Sequence, residues 1–259
     1  MKVGRFFYDL LFPPRCISCR AFCKKDILDP SDAPFCEKCR LDWEKEKTAC
    51  CAGCGKELLN CRCTSPRMER AGIAQSVKLV FYQSARDTVG RRSVLHLKRN
   101  KNLRAFAFFA SQLSFPLNRL IAEKGLSAEK IRFCYVPRSY KSEESEGLDQ
   151  AEYLCRAIAK RYGTVPTPLF RRSGVKEAEQ KTLTAREREK NVRRLFEIDE
   201  TVFKKIGDAT CIVIVDDVIT TGASLSACAR LLKGRFSGEI VAVSLARTPL
   251  LRRRAVKSI

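Results

Sequence analysis

Ile212-Val213-Ile214-Val215-Asp216-Asp217-Val218-Ile219-Thr220-Thr221-Gly222-Ala223-Ser224 reads as a buried strand, an acidic pair, a hydroxyl-rich turn and a helix start. The unbroken apolar run from Cys211 to Val215 fits a central parallel strand covered on both faces. Open α/β sheets take their ligands at the carboxyl ends of such strands, and here the acidic pair stands at that end. The chemistry suits a sugar phosphate. The carboxylates of Asp216 and Asp217 can accept hydrogen bonds from ribose hydroxyls, while backbone N–H groups and the hydroxyls of Thr220, Thr221 and Ser224 can surround a phosphate. Gly222 lets the backbone come close, and a helix over 225–233 would add its N-terminal dipole to the same anion. The bland alternative is a plain strand-turn-helix with solvated acids. The sequence has neither the Gly-Lys-Ser/Thr ending of a P-loop nor a GxGxxG turn after a strand.

Strand and helix patterns alternate around this segment, which predicts an α/β domain. Residues 76–82 and 131–136 read as strands and 240–245 as a further buried strand; 88–97, 103–113 and 148–162 read as helices. Val136-Pro137-Arg138 closes a strand and precedes a polar stretch over 139–146, a position that suits a second ligand loop or an ordinary surface turn. His96, the only histidine, lies in a basic helical stretch and reads as a surface residue rather than a catalytic base.

Upstream the composition changes. Ten of the 14 cysteines fall within the first 63 residues, as Cys16-x-x-Cys19, Cys36-x-x-Cys39, Cys51-x-x-Cys54 and Cys61-x-Cys63, with Cys23 and Cys50 to spare. A two-residue gap lets two thiolates point at one tetrahedral zinc, so four knuckles predict two structural zinc ions. Neighbouring knuckles close the shorter loops, which pairs Cys16, Cys19, Cys36 and Cys39 in one site and Cys51, Cys54, Cys61 and Cys63 in the other; a crossed arrangement stays open. The rivals are a disulfide framework, which belongs to secreted chains, and a redox Cys-x-x-Cys. Cys134, Cys155, Cys211 and Cys228 sit in apolar patterns and read as small core residues. The boundary between the two regions is placed near residues 64–70, giving domains 1–66 and 67–259.

The 259 residues carry 50 Lys and Arg against 29 Asp and Glu, a formal charge of +21. Two zinc tetrathiolates would lower this by about four and leave it strongly positive, which favours polyanionic partners, single-stranded DNA among them. A short apolar run near the start is broken by Asp9, and no stretch reaches the about 18 apolar residues a spanning helix needs. The expectation is a cytoplasmic protein without membrane insertion.

The segment 212–224 resembles the phosphoribosyl pyrophosphate (PRPP) loop of the type I phosphoribosyltransferases: an apolar run, two acids, two apolar residues, Thr-Thr-Gly and two small residues, here Ala223 and Ser224. That resemblance implies a parallel sheet flanked by helices, a pyrophosphate contact at Arg138, and magnesium arriving with the PRPP. The whole chain resembles the ComF family, in which a zinc-ribbon region precedes a phosphoribosyltransferase-like domain. Phe12-Pro13-Pro14-Arg15-Cys16, Leu97-Lys98-Arg99, Gly147-Leu148-Asp149-Gln150-Ala151 and Gln180-x-x-Leu183 continuing to Asn191-Val192 and Phe196 carry the likeness. It implies a phosphoribosyltransferase-like activity and a link to natural competence, with PRPP, single-stranded DNA and DNA-uptake proteins as partners; some members are associated with gluconate utilisation. The alternative is a non-catalytic DNA-handling or adaptor protein with a regulatory or vestigial PRPP site. Where the family has Arg-Gly-Phe-Asn-Gln-Ala, this chain has Glu146-Gly147-Leu148-Asp149-Gln150-Ala151. Either the two acids weaken a pyrophosphate contact, or Asp149 caps a helix.

Overall fold

The computed structural model describes residues 13–23, 33–138, 149–173 and 194–250. Its centre is a four-stranded, wholly parallel sheet of β1 (Ile73–Phe81), β2 (Ile131–Tyr135), β5 (Cys211–Ile219) and β6 (Glu239–Arg247), in the order β1-β6-β5-β2. A separate antiparallel pair joins β3 (Phe170–Arg172) to β4 (Phe196–Ile198). The helices are α1 (Glu37–Lys47), α2 (Pro66–Arg70), α3 (Val89–Arg99), α4 (Leu103–Glu123), α5 (Gln150–Arg161), α6 (Glu200–Phe203) and α7 (Ala223–Leu232). The sheet is therefore of the mixed α/β kind that the alternating pattern predicts.

Period-two alternation divides β5 between two cores. Val213 and Val215 pack with α3, α4 and α5 residues such as Val94, Phe106 and Leu154, whereas Ile212 and Ile214 pack with Leu225 and Cys228 of α7 and with Phe170 and Phe196. Burial on both faces is why residues 211–215 of the strand are all apolar rather than alternating. Cys134, Cys155, Cys211 and Cys228 are all buried in these cores, as small apolar residues.

Two element ends run past expectation, and a short helix falls in the region 64–70 where the two parts of the chain were expected to join. β5 runs to Ile219, so Asp216 and Asp217 lie inside the strand, because β6 continues alongside as far as Arg247 and pairs with Asp216, Val218 and Ile219 through Ser244, Ala246 and Arg247. α4 continues past residue 113 through Pro116 to Glu123; Leu117, Leu120 and Ile121 prolong its apolar stripe, and this burial outweighs the hydrogen bond that proline removes. Residues 66–70 form a short helix started by Ser65, whose hydroxyl accepts from the Met68 N–H, with Pro66 in the first turn. The loop expected over 139–146, the 180–192 part of the likeness, and Glu146 with Gly147 and Leu148 lie outside the described residues. Among the described residues no helix is long and apolar enough to cross a membrane.

Candidate functional site

The carboxyl ends of β2 and β5 stand side by side. Tyr135 is opposite Val215, and the Val136 N–H donates to the Val215 carbonyl at 3.0 Å, so Pro137-Arg138 leaves the sheet beside the acidic pair. Strand alternation sends the two acids to opposite faces. Asp217 turns toward α3, where Lys98 Nζ lies 3.5 Å from its Oδ2. Asp216 turns toward α7: burial first, and Asp216 second, push the Cys228 thiol upward. Asp216 Oδ1 accepts from the Asp217 N–H at 2.9 Å and Asp217 Oδ1 from the Val218 N–H at 2.7 Å.

The turn beyond is held open by Gly222, which caps α7 with φ +72° and no side-chain cap. The first helical bond runs from the Ser226 N–H to the Gly222 carbonyl at 2.9 Å, leaving the N–H groups of Ala223, Ser224 and Leu225 ahead of it as orphan donors of the first turn. Thr220 and Thr221 are exposed and Ser224 half-buried around the same turn. A ten-residue helix beginning on free N–H groups beside three hydroxyl side chains is suited to an oxyanion.

Arg138 is tied to this centre through α5. Its N–H donates to Asp149 Oδ2 at 3.1 Å and its Nη1 to Gln150 Oε1, while Gln150 Nε2 donates to the Lys98 carbonyl at 3.2 Å. The chain Arg138, Gln150, Lys98, Asp217 thus links the two loops. Asp149 also accepts from the Glu152 N–H at 3.0 Å, so it caps α5, and of the two readings left open for this position the cap is the one present. Lys98 and Gln150 were expected only as parts of a family signature. Their place in the site could not be read locally, because α3 and α5 meet at β5 from 52 residues apart. His96 lies 3.0 Å from Arg20 through Nε2 and away from the acids' hydrogen bonds; burial, then Arg20, lowers its pKa.

Burial, followed by the neighbouring Asp217, raises the Asp216 pKa well above the ordinary carboxylate value. A carboxyl whose pKa is higher folded than unfolded binds more protons when folded. Its contribution to stability is complete below the ordinary carboxylate range and is lost as pH rises through the folded value, at up to about 1.4 kcal/mol per pH unit in that window. Asp216→Asn keeps the acceptor for the Asp217 N–H and removes the charge. Its Tm is expected to equal that of wild type near pH 4 and to exceed it increasingly toward pH 8, by about 2–4 °C per kcal/mol. A variant less stable than wild type at pH 8 in thermal melts would refute this account of the pair.

The remaining predicted ligands form two tetracysteine groups, Cys16, Cys19, Cys36, Cys39 and Cys51, Cys54, Cys61, Cys63, each with its sulfurs within 4.8 Å of one another. This is the pairing by neighbouring knuckles; Cys23 and Cys50 stand outside both groups, and no cysteine is joined in a disulfide. Two knuckles are copies of one hairpin. The Cys16 and Cys51 N–H groups donate to the carbonyls of Ala21 and Lys56, both at 2.8 Å, and the N–H groups of Arg20 and Gly55 return to the Cys16 and Cys51 carbonyls. The residue after the second cysteine is left-handed in each, Arg20 at φ 68° and Gly55 at φ 72°. Cys36 and Cys39 instead open α1, whose N-terminal dipole favours thiolates. Cys61 and Cys63 lie on an extended segment, where a one-residue gap puts both sulfurs on one side.

These sulfurs fit zinc. A tetrahedral site with bonds of about 2.3 Å needs sulfurs about 3.8 Å apart, and Cys19 and Cys36 are 3.6 Å apart. Burial first, and neighbouring thiols with it, push Cys39 and Cys63 up to about 12, as four converging thiolates require a cation between them. The two groups can therefore hold two zinc ions.

No protein-family model and no curated protein matches the chain.

Proposed function

We propose that this protein binds PRPP at the carboxyl ends of β2 and β5 and is a ComF-type protein with a type I phosphoribosyltransferase-like domain. The observation that carries the reading is the acidic pair inside β5 followed at once by the left-handed Gly222 and the start of α7. Asp216 and Asp217 hold the ribose hydroxyls, the turn from Thr220 to Ser224 surrounds the 5′-phosphate, and Arg138 faces the pyrophosphate. Magnesium arriving with the PRPP would supply positive charge to neutralise the leaving pyrophosphate. The reaction is displacement of pyrophosphate from C1 by a nitrogen nucleophile or a related acceptor. The negative charge of the pair, carried chiefly by Asp217 because burial raises the Asp216 pKa, favours the positive charge that develops on the ring as the C1–O bond breaks, which is electrostatic stabilisation rather than proton transfer. Lys98, 3.5 Å from Asp217, can turn to the pyrophosphate.

Calorimetric titration of PRPP with magnesium into zinc-loaded protein tests this reading. Saturable one-to-one binding is expected, weakened at least 100-fold in the Asp216→Asn/Asp217→Asn double variant. Absence of binding by folded wild type would overturn it. The +21 charge supports a second reading, a cytoplasmic single-stranded-DNA-handling or adaptor protein working with DNA-uptake proteins, in which Lys98, Arg99, Lys101 and Arg104 belong to a phosphate-binding ridge. Indifference to PRPP together with steeply salt-dependent DNA binding would favour it.

A further inference from the structure

Lys78 and Arg247 are cations in an unusual place. Their relative exposures are 1% and 2%, so both are withdrawn from water at the edge where β1 and β6 meet. Lys78 Nζ donates to the carbonyls of Cys61 at 2.9 Å, Cys63 at 3.2 Å and Ser76 at 3.3 Å, and meets Ser76 Oγ at 3.3 Å. Arg247 Nη1 donates to the Cys63 carbonyl and meets the same Ser76 hydroxyl at 3.3 Å, while its Nε is buried without a partner. No carboxylate among the described residues forms an ion pair with either; Glu69, which acts on Arg247 from a distance, is exposed.

Two like charges sharing one buried hydroxyl repel each other, and each costs several kcal/mol to desolvate unless an opposite charge answers it. Among the described residues the buried candidates beside both cations are sulfurs, and the carbonyls that receive both cations belong to two of the four cysteines in the second group. Four neutral thiols, or two disulfides, would leave both cations unanswered. Four thiolates around a divalent ion carry a charge of two minus, equal and opposite to the pair. We infer that Lys78 and Arg247 are the counter-charges of a divalent metal tetrathiolate at Cys51, Cys54, Cys61 and Cys63, and that this balance fastens the metal to the β1–β6 edge of the sheet.

The first group has a different surrounding. Its neighbour Arg92 donates to Ser18 Oγ at 2.8 Å but already pairs with Asp87 at 2.7 Å, and is 28% exposed. Removing charge at Lys78 or Arg247 should therefore loosen one metal of two. Lysine and methionine are alike in length, so Lys78→Met, and Arg247→Met against Arg247→Lys, isolate charge from shape.

The test follows zinc release from the full-length, zinc-loaded protein to the chromogenic chelator 4-(2-pyridylazo)resorcinol. Two ions per chain are expected; in Lys78→Met and Arg247→Met one of them leaves at least tenfold faster than in wild type, and Arg247→Lys restores most of the difference. Release of both ions at the wild-type rate from the two methionine variants would overturn the inference. Should these variants fail to fold, hydrogen exchange of wild type during chelation decides. Peptides covering 61–78 and 244–250 lose protection as the metal leaves, while retained protection after both ions are gone would overturn it equally.

Discussion

Stripping both metals is expected to unfold residues 33–64 and to shift the emission of Trp43 to the red while β2 and β5 keep their hydrogen-exchange protection. Trp43 is the only tryptophan, is fully buried, and packs between Phe35 at 5.3 Å and Phe109 of α4 at 5.2 Å. The apolar core on its side of the contact is small: among the described residues between 13 and 64, Ile17, Phe35, Trp43 and Leu58 are the buried apolar residues other than cysteine. Such a segment cannot offset the entropy of ordering its own backbone, whereas each structural zinc contributes about 10–16 kcal/mol in small domains. α1, at 11 residues, is too short to persist once Cys36 and Cys39 no longer anchor its start.

The loss should reach the acidic pair. Glu46 of α1 accepts the N–H groups of Val89 at 2.6 Å and Gly90 at 2.8 Å, adding an anion to the start of α3 that Thr88 already caps. α3 carries Lys98 to Asp217 at its other end. Metal removal should therefore weaken the proposed PRPP binding through Glu46 and α3 rather than through the metal-binding cysteines themselves. Unchanged Trp43 emission in protein that elemental analysis shows to be metal-free would refute the account. A shifted emission with undiminished PRPP affinity would refute only its extension through Glu46.

How much of this was legible beforehand depended on the range of the interactions. The strand through Ile212 and each cysteine knuckle are local patterns whose chemistry is complete within about a dozen residues, so the α/β class, the acidic pair and the knuckles could be read directly, whereas their grouping rested on loop length and left a crossed arrangement open. Strand ends could not, because Asp216 and Asp217 are held in β5 by β6, which lies further along the chain. Asp149 was ambiguous for the same reason: the same carboxylate either caps or repels, depending on where Glu152 N–H and Arg138 N–H fall. Lys78 left the clearest unused sign. A lysine between Val77 and Leu79, inside an apolar strand, needs a buried partner, but nothing local shows that it lies beside Cys61 and Cys63.

Gly222→Ala is expected to be the most damaging single methyl addition in the turn between β5 and α7. At φ +72° any residue with a Cβ is strained by about 1–2 kcal/mol. Here the Cβ would also fall 2.6 Å from Met68 Sδ and 2.7 Å from its Cγ, with Ser65 Oγ at 3.5 Å. Met68 is fully buried on α2 and cannot swing into solvent, so overpacking adds about 1–3 kcal/mol. The combined cost of about 2–5 kcal/mol should lower Tm, and the shift of α7 away from α2 should misdirect the free N–H groups and abolish PRPP binding. Met68→Ala by itself opens a cavity and also destabilises. In the double variant the new methyl occupies part of that cavity, so the two losses must fall short of additivity by about 1–3 kcal/mol in a denaturant-based double-mutant cycle. Strict additivity would show that Met68 yields to the methyl and that backbone strain alone carries the cost; a stable Gly222→Ala protein with wild-type PRPP affinity would show that the left-handed turn has no part in holding the phosphate.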